Sequence, residues 1–499
     1  MGNVLHYLKD SACKFPNKIS VVDSECAITY SELLKRVSSI GNSINKNIVN
    51  CNYVGIFMEK SVDAICALLG VVYSGGCYSF LSPELPDSRV VQIDSVLSPD
   101  LVITNAELFE KATSIFPSRK ICTVESMLNS NSDWHPSRSI DTDPLYINFT
   151  SGSTGIPKGI VVSQRSVIDF IDCFTQTFSM SEKDIIANQA PLDFDVSVKD
   201  IYSSLKLGAT LVLIPRKLFS VPAELVDFLC EHKVTTLIWA VSALCLLSTF
   251  HAFDYRTPDT INKIMFSGEV MPFKHLKTLQ KHFPNATLVN LYGPTEITCN
   301  CTYHILQNSR DYSNGIPIGK PFGNEDVFLL DNDNKKISDF DTVGEICVRG
   351  TALALGYLSS EEQNQKHFVQ NPLNNKYPEL IYRTGDLGKF DNNGDLVFSG
   401  RKDFQIKYMG HRIELEEIER AISLVDGVER CCCIFDENRS RLKGYYVGEI
   451  EKTDLFSVLK EKLPVFMIPG TLFKLDNMPL TKNGKVDRKA LASEKGGTK

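Results

Sequence analysis

The sequence has no excess of basic residues: 53 Lys and Arg against 60 Asp and Glu leave a net charge of −7. That balance offers no electrostatic footprint for nucleic acid and no pull toward anionic lipid. No segment reaches the run of about 20 apolar residues that a membrane-spanning helix needs. The opening stretch MGNVLHYLKD is neither a signal peptide nor a myristoylation site, because His6 stands where Ser or Thr is required. These absences predict a cytoplasmic protein. Internal repeats and low-complexity tracts are also missing. The fifteen cysteines are odd in number, and no Cys-x-x-Cys pair is matched by a second Cys or His pair. They read as reduced, buried small hydrophobes, including Cys431, Cys432 and Cys433 inside one strand, and they exclude a disulfide framework and a cysteine metal site. No nucleophile–histidine pair is evident.

What is present is length and alternation. At 499 residues the chain exceeds what one hydrophobic core supports, so two or more domains are expected. Helical and strand-like segments alternate, which predicts an α/β protein with helix-covered sheets. Residues 61–76 have helical periodicity and stop at Gly75–Gly76, while PDLVITN and ATLVLIP read as buried strands. Residues 224–250 read as helix, strand and helix. From about residue 316 the texture turns to short strands and tight turns. Residues 399–423 pass from a turn into an amphipathic helix carrying Ile413, Leu415, Ile418, Ala421 and Ile422 near one face. Strands at 428–435 and 442–448 and a helix near 453–463 follow. The expected organisation is a large domain over 1–400 with a β-rich subdomain, a hinge over 401–403, and a small α+β domain over 404–499.

Four punctuated stretches carry chemistry. FTSGSTGIPKG (149–159) has hydroxyls, glycines and Lys158, the ingredients of a polyanion nest. It is not the GxxxxGK[ST] loop, because Pro157 stands at the second glycine and Gly159 follows Lys158. YGPTE (292–296) sets Tyr292, Thr295 and Glu296 around a Gly-Pro turn: a ring to stack on a base, a hydroxyl for a phosphate, a carboxylate for Mg²⁺. In YRTGD (382–386), Asp386 suits the two hydroxyls of a ribose. NGKVDRKAL (483–491) presents Lys485 on a turn.

With GRKDFQIKYMGHRIELEEIE (400–419), these stretches resemble, in order and nearly letter for letter, the signatures of the adenylate-forming superfamily. The chain most resembles the amino-acid-activating adenylation domains of nonribosomal peptide synthesis. ITYSEL (28–33) and YSGGCYSFLSPELPDSR (73–89) extend the likeness over essentially the whole chain. The resemblance implies ATP and Mg²⁺. It implies that Thr150, Ser151, Gly152, Ser153, Thr154, Gly155 and Lys158 grip the β- and γ-phosphates, that Tyr292 stacks on adenine, and that Asn290 belongs to the ATP site. Thr295 would touch the α-phosphate, Glu296 would hold the metal, and Asp386 with Arg401 would bind the ribose. Lys485 would be the catalytic lysine of adenylation. Asp403 would be the hinge about which the small domain turns, bringing Met409–Gly410 toward an incoming thiol.

The same resemblance places Asp195, Val196, Lys199, Trp239, Met265, Ser267, Leu291, Cys299 and Asn300 around the substrate. Asp195 would pair with an α-ammonium, which points to an amino acid rather than a fatty or aryl acid. Trp239 and Met265 are bulky and predict a small side chain such as that of alanine or serine. Lys199 asks for a polar substrate group if it points inward and says nothing if it snorkels outward, which is the expected orientation. FSGEVMP (266–272) and Glu416 resemble the stand-alone D-alanine–carrier protein ligases, although Ser267 departs from the cysteine often found there. The expected acceptor is the phosphopantetheine thiol of a separate carrier protein, since no carrier segment follows the Lys485 motif. The alternatives are an acyl- or aryl-CoA synthetase, told apart by Asp195 and the acceptor thiol, and a non-catalytic nucleotide-binding relative, which should have lost Lys485, Glu296 or Asp386.

Overall fold

The computed structural model describes residues 2–48, 52–130, 133–152, 155–403, 405–436, 439–480 and 486–493. The chain divides into two compact units. The first comprises Met1–Ser82, Leu97–Asn148 and Gly159–Lys402; the second comprises Pro83–Val96, Phe149–Lys158 and Asp403–Lys499. Two segments expected within a domain over 1–400 thus group with the C-terminal residues. The physical ties are within that second unit: Arg89 pairs with Glu417 at 2.6 Å, and the Ser151 hydroxyl donates to the carbonyl of Arg412 at 2.8 Å.

The first unit is built on helix-covered sheets. A nine-stranded sheet has six parallel strands in the spatial order Thr287–Tyr292, Lys263–Ser267, Thr236–Ala240, Ile185–Asn188, Thr210–Leu213 and Ile19–Val22, with antiparallel strands at its edges. A second sheet carries the parallel strands Tyr53–Ile56, Cys77–Phe80, Leu101–Thr104 and Ile121–Thr123. The third is antiparallel and includes Glu325–Leu330, Gly344–Gly350, Leu380–Phe390 and Leu396–Arg401, the β-rich stretch expected after residue 316. The helix Val62–Tyr73 is buried on nearly every side, starts at Ser61, whose side chain accepts the amide of Ala64, and is followed by Gly75 at φ 83°.

Side-chain alternation sorts the nine-stranded sheet into two apolar layers. Ile186, Ile238, Met265 and Val289 face one cluster, together with Ile201 and Leu205 of the helix Val196–Leu207. Leu237, Trp239, Ile264 and Phe266 face the other, with Leu225, Leu244 and Leu276 from the covering helices. Both faces are buried, so the parallel strands read in sequence as continuous apolar runs. Their carboxyl ends, at Asn188, Ala240, Ser267 and Tyr292, fall along one edge, which is where an open α/β sheet binds its ligand.

The second unit has its own core. The hairpin Gln405–Tyr408 and His411–Glu414 turns through Met409 and Gly410, both at positive φ, and leads into the helix Leu415–Ser423. Ile413, Leu415, Ile418 and Ile422 pack with Leu455 of the helix Lys452–Lys462 and with Leu442 and Leu472 of a three-stranded sheet; Ala421 is partly buried beside them. The fourteen described cysteines are free thiols. Cys13 and Cys26 differ from expectation in being exposed; both lie near ends of elements rather than in a buried strand or helix face. Among the described residues no helix is long and apolar enough to cross a membrane.

Candidate active site

The strand Thr287–Tyr292 ends in a loop that the sequence shapes tightly. A Cβ on Gly293 would lie 2.5 Å from the Cα of Asn300, so only glycine lets the chain fold back there. The amide of Cys301 then bonds the carbonyl of Tyr292 at 2.8 Å, and a short 3₁₀ turn, Thr295–Ile297, fills the loop. Thr298 and Cys299 both adopt positive φ, at 53° and 75°. Such backbone conformations cost energy in non-glycine residues and concentrate at functional sites. One loop therefore carries both the nucleotide motif and, at Cys299 and Asn300, part of the expected substrate pocket.

Three of the residues expected to hold the nucleotide, Tyr292, Asp386 and Arg401, meet in the first unit. Asp386 lies opposite Arg401 across the antiparallel pair Leu380–Phe390 and Leu396–Arg401, and its Oδ1 forms an ion pair with that guanidinium. Its Oδ2 accepts the Tyr292 hydroxyl at 2.6 Å, 94 positions away in sequence. Its amide bonds the Thr384 hydroxyl at 3.0 Å. Burial and the neighbouring Asp386 carboxylate push the Tyr292 phenol well above its ordinary value, so it remains a neutral donor. Asn290 is fixed by its side-chain amide donating to the carbonyl of Pro317 at 2.9 Å. Glu296 is buried, and its Oε1 accepts the Tyr357 hydroxyl at 2.6 Å. Thr295 is half-buried beside it. A buried carboxylate oxygen is a hard ligand, and Mg²⁺ takes one or two such groups together with phosphate oxygens, so Glu296 fits the role of holding that ion. Tyr357 was not anticipated; it lies 61 residues from Glu296 and carries no sequence signal of the contact.

The substrate residues are also brought together, with two corrections. Asp195 stands at the N-terminus of the helix Val196–Leu207, but its side chain makes no capping bond, and its carbonyl accepts the thiol of Cys299 at 3.0 Å. Met265, Leu291 and Cys299 share one apolar cluster, and Val196, Ser267 and Asn300 are buried. Trp239 does not join them. Strand alternation turns it into the opposite layer, where its indole N–H donates to the carbonyl of Ala187 at 2.9 Å. Its neighbour Ile238 faces the Met265 cluster instead, and the alternation in TLIWA was the available signal for it. Lys199 does not snorkel outward. It is fully buried and donates to Oδ1 of Asn300 at 2.6 Å. Lys199 occupies the buried face of a helix packed on a sheet, and its stem has no route to water.

The glycine-rich loop belongs to the second unit. There the amide of Gly152 donates to Oε2 of Glu417 at 3.0 Å, the Ser151 hydroxyl accepts the amide of Glu414 at 3.2 Å, and Lys158 lies 3.7 Å from the Glu414 carboxylate. Thr150 ends the strand Pro144–Thr150, and Gly155 has φ 77°, with its amide closing a turn onto Gly152. The donors expected to face phosphate are thus directed at anionic or carbonyl oxygens. Ser153, Thr154 and Lys485 lie outside the described residues. Asp403 accepts the amide of Gln405 at 3.2 Å and begins the C-terminal segment of this unit.

Comparison with known proteins places these features. The sequence model of the family described as AMP-binding enzyme matches residues 8–358. Bacitracin synthase 1 of Bacillus licheniformis is 32% identical over 98% of this chain, which spans only 9% of that relative's length. The adenylation domain AlmE of Vibrio cholerae, solved with glycyl-adenosine-5′-phosphate, has a TM-score of 0.85 at 22% identity, covering 98% of this chain and 97% of that one. An o-succinylbenzoate CoA synthetase from Bacillus subtilis has a TM-score of 0.84 at 18% identity and covers 98% of each chain. At these identities the solved structures establish the adenylate-forming fold.

Proposed function

Because this chain belongs to the AMP-binding enzyme family, we propose that it joins an amino acid to ATP as aminoacyl-AMP and passes the aminoacyl group to the phosphopantetheine thiol of a carrier protein. The observation that carries the reading is the loop after Tyr292. It sets the Asp386–Tyr292 pair and Glu296 on the same stretch of chain as Cys299, whose thiol is bonded to the Asp195 carbonyl. The loop 292–299 thus bonds the proposed ribose acceptor through Tyr292, carries the proposed metal ligand, and through Cys299 bonds the backbone of the proposed ammonium-binding residue.

In the first step a substrate carboxylate oxygen attacks the α-phosphorus, an oxygen–phosphorus bond forms, and pyrophosphate leaves with the electron pair. No general base is needed, because the nucleophile is ionised at neutral pH. The obstacle is anion–anion repulsion, and Lys485 and the Thr295 hydroxyl are the proposed groups that offset charge developing at the α-phosphate. Mg²⁺ bound at Glu296 would neutralise phosphate charge. Asp386 and Arg401 orient the ribose, and Asp195 orients the α-ammonium. In the second step the carrier thiolate attacks the acyl carbonyl, a carbon–sulfur bond forms and AMP departs. Asp403 is the proposed pivot between the steps. With Trp239 in the opposite layer, Met265 is the remaining bulky wall of the proposed pocket, which widens the range of side chains beyond alanine and serine.

Amino-acid-dependent ATP–pyrophosphate exchange tests the first step, and transfer from labelled aminoacyl-AMP to a phosphopantetheinylated carrier, supplied as a separate protein, tests the second. Exchange driven by acyl or aryl acids, with coenzyme A as the acceptor, would replace this reading with that of a CoA synthetase.

A further inference from the structure

We propose that the amino acid taken by this site bears a carboxylate on its side chain, and that Lys199, held by Asn300, is the residue that selects it. The inference rests on the adenylation reading above and deepens it.

Lys199 has no exposed surface and lies four residues after Asp195, on the helix Val196–Leu207. An ammonium carries three N–H donors, and burying it without counter-charge is costly. Among the described residues its one hydrogen bond goes to the neutral amide oxygen of Asn300, 2.6 Å away. Asn300 belongs to the loop that also carries Cys299, whose thiol bonds the Asp195 backbone carbonyl, so this loop and the start of the helix meet beside Lys199. Burial holds the Lys199 ammonium below its ordinary range, and nearby Cys299, Asp195 and Asp200 oppose that shift.

None of these neighbours neutralises Lys199 once substrate binds. Burial keeps the Cys299 thiol well above its usual range, so it brings no anion. Asp200 is fully buried, accepts the side-chain amide of Asn188 at 2.7 Å and is pushed up to about 7, so it carries only part of a charge at neutral pH. Asp195 is committed to the substrate's α-ammonium in the proposed reaction. Binding a neutral side chain would therefore leave Lys199 as an unbalanced buried cation, whereas a side-chain carboxylate completes the pair.

Residues four apart on a helix share a face and are separated by ~6 Å along the axis. A substrate whose α-ammonium rests on Asp195 can therefore present a side-chain carboxylate to Lys199, and aspartate and glutamate are the candidates. Met265 and Leu291 supply the apolar walls along the stem.

The test is ATP–pyrophosphate exchange by the full chain with Asp, Asn, Glu, Gln, Ala and Ser in both chiral forms, repeated on Lys199→Met. In the unmodified protein kcat/KM for Asp or Glu should exceed that for the matching amide by roughly 10²–10³-fold, the discrimination expected of a buried charge pair. In Lys199→Met that ratio should fall below about tenfold with the KM for ATP unchanged. Should the variant fail to fold, the acid-to-amide ratio of the unmodified protein still decides. Exchange that prefers Ala, Ser or an amide over both acids would overturn this inference while leaving adenylation intact. Exchange with no amino acid would overturn the adenylation reading and this inference with it.

Discussion

The residues proposed to hold the nucleotide and those proposed to surround the substrate side chain adjoin on one loop, yet their polar groups are held in opposite ways. On the nucleotide side the charges are already matched: Asp386 has a guanidinium and a phenol, and Glu296 has the Tyr357 hydroxyl. In the pocket a buried cation, Lys199, rests on a neutral amide. The difference fits what each region is proposed to bind. Every turnover brings the same nucleotide, so its acceptors can be fixed in advance by partners that do not change. The side chain of the substrate is the variable element, and a group left short of counter-charge turns that variability into selection, because the wrong ligand leaves it unpaired.

Four experiments probe that contrast. Lys485→Ala should cost the most, lowering amino-acid-dependent exchange by roughly 10²–10³-fold whatever the amino acid, since it removes the charge proposed to act on the α-phosphate. An effect confined to one amino acid would place Lys485 in the selective region instead. Asp386→Ala should raise the KM for ATP by about 10- to 100-fold, the worth of a buried charge-assisted contact, and leave the ranking of amino acids unchanged. A changed ranking would show that the two regions are not separable.

The third experiment compares neighbours on one strand. Trp239→Phe should lower stability by about 1–3 kcal/mol in urea unfolding, because the Ala187 carbonyl loses a buried donor, while amino-acid selectivity stays as it was. Ile238→Ala should alter selectivity. If Trp239→Phe alone shifted selectivity, its assignment to the opposite layer would be wrong.

The smallest effect concerns pH. Asp200 is pushed up to about 7 by burial, so the folded protein holds a proton that the unfolded chain releases near pH 4. Because the folded state binds more protons in that window, stability should fall as pH rises from about 4 to about 7. Asp200→Asn should flatten this slope in a series of urea midpoints, and an unchanged slope would assign the proton elsewhere.

Part of the proposed nucleotide side was legible in the letters: YGPTE, YRTGD and GRKD supply Tyr292, Asp386 and Arg401, and the fold brings these three together. The partners of those residues could not be read so. Tyr357 reaches Glu296 across 61 positions and Tyr292 reaches Asp386 across 94, and nothing local in either stretch encodes the pairing. The pocket was legible in composition and misread in direction. Trp239 was expected inside because the family resemblance set it among the pocket positions, but a period-2 strand gives adjacent residues to opposite layers, and Ile238 faces the Met265 cluster.

Composition, motif order and periodicity in the chain were enough to specify the α/β class and the strands and helices near 61–76, 224–250 and 428–463. Each of these depends on residues close in sequence or on a loop whose chemistry is local. Tertiary structure alone decided that Lys199 lies buried against Asn300, that Trp239 faces away, and that 83–96 and 149–158 group with the C-terminal unit. Those outcomes depend on which surfaces pack together, and a side chain's charge or size does not state where its neighbours will come from.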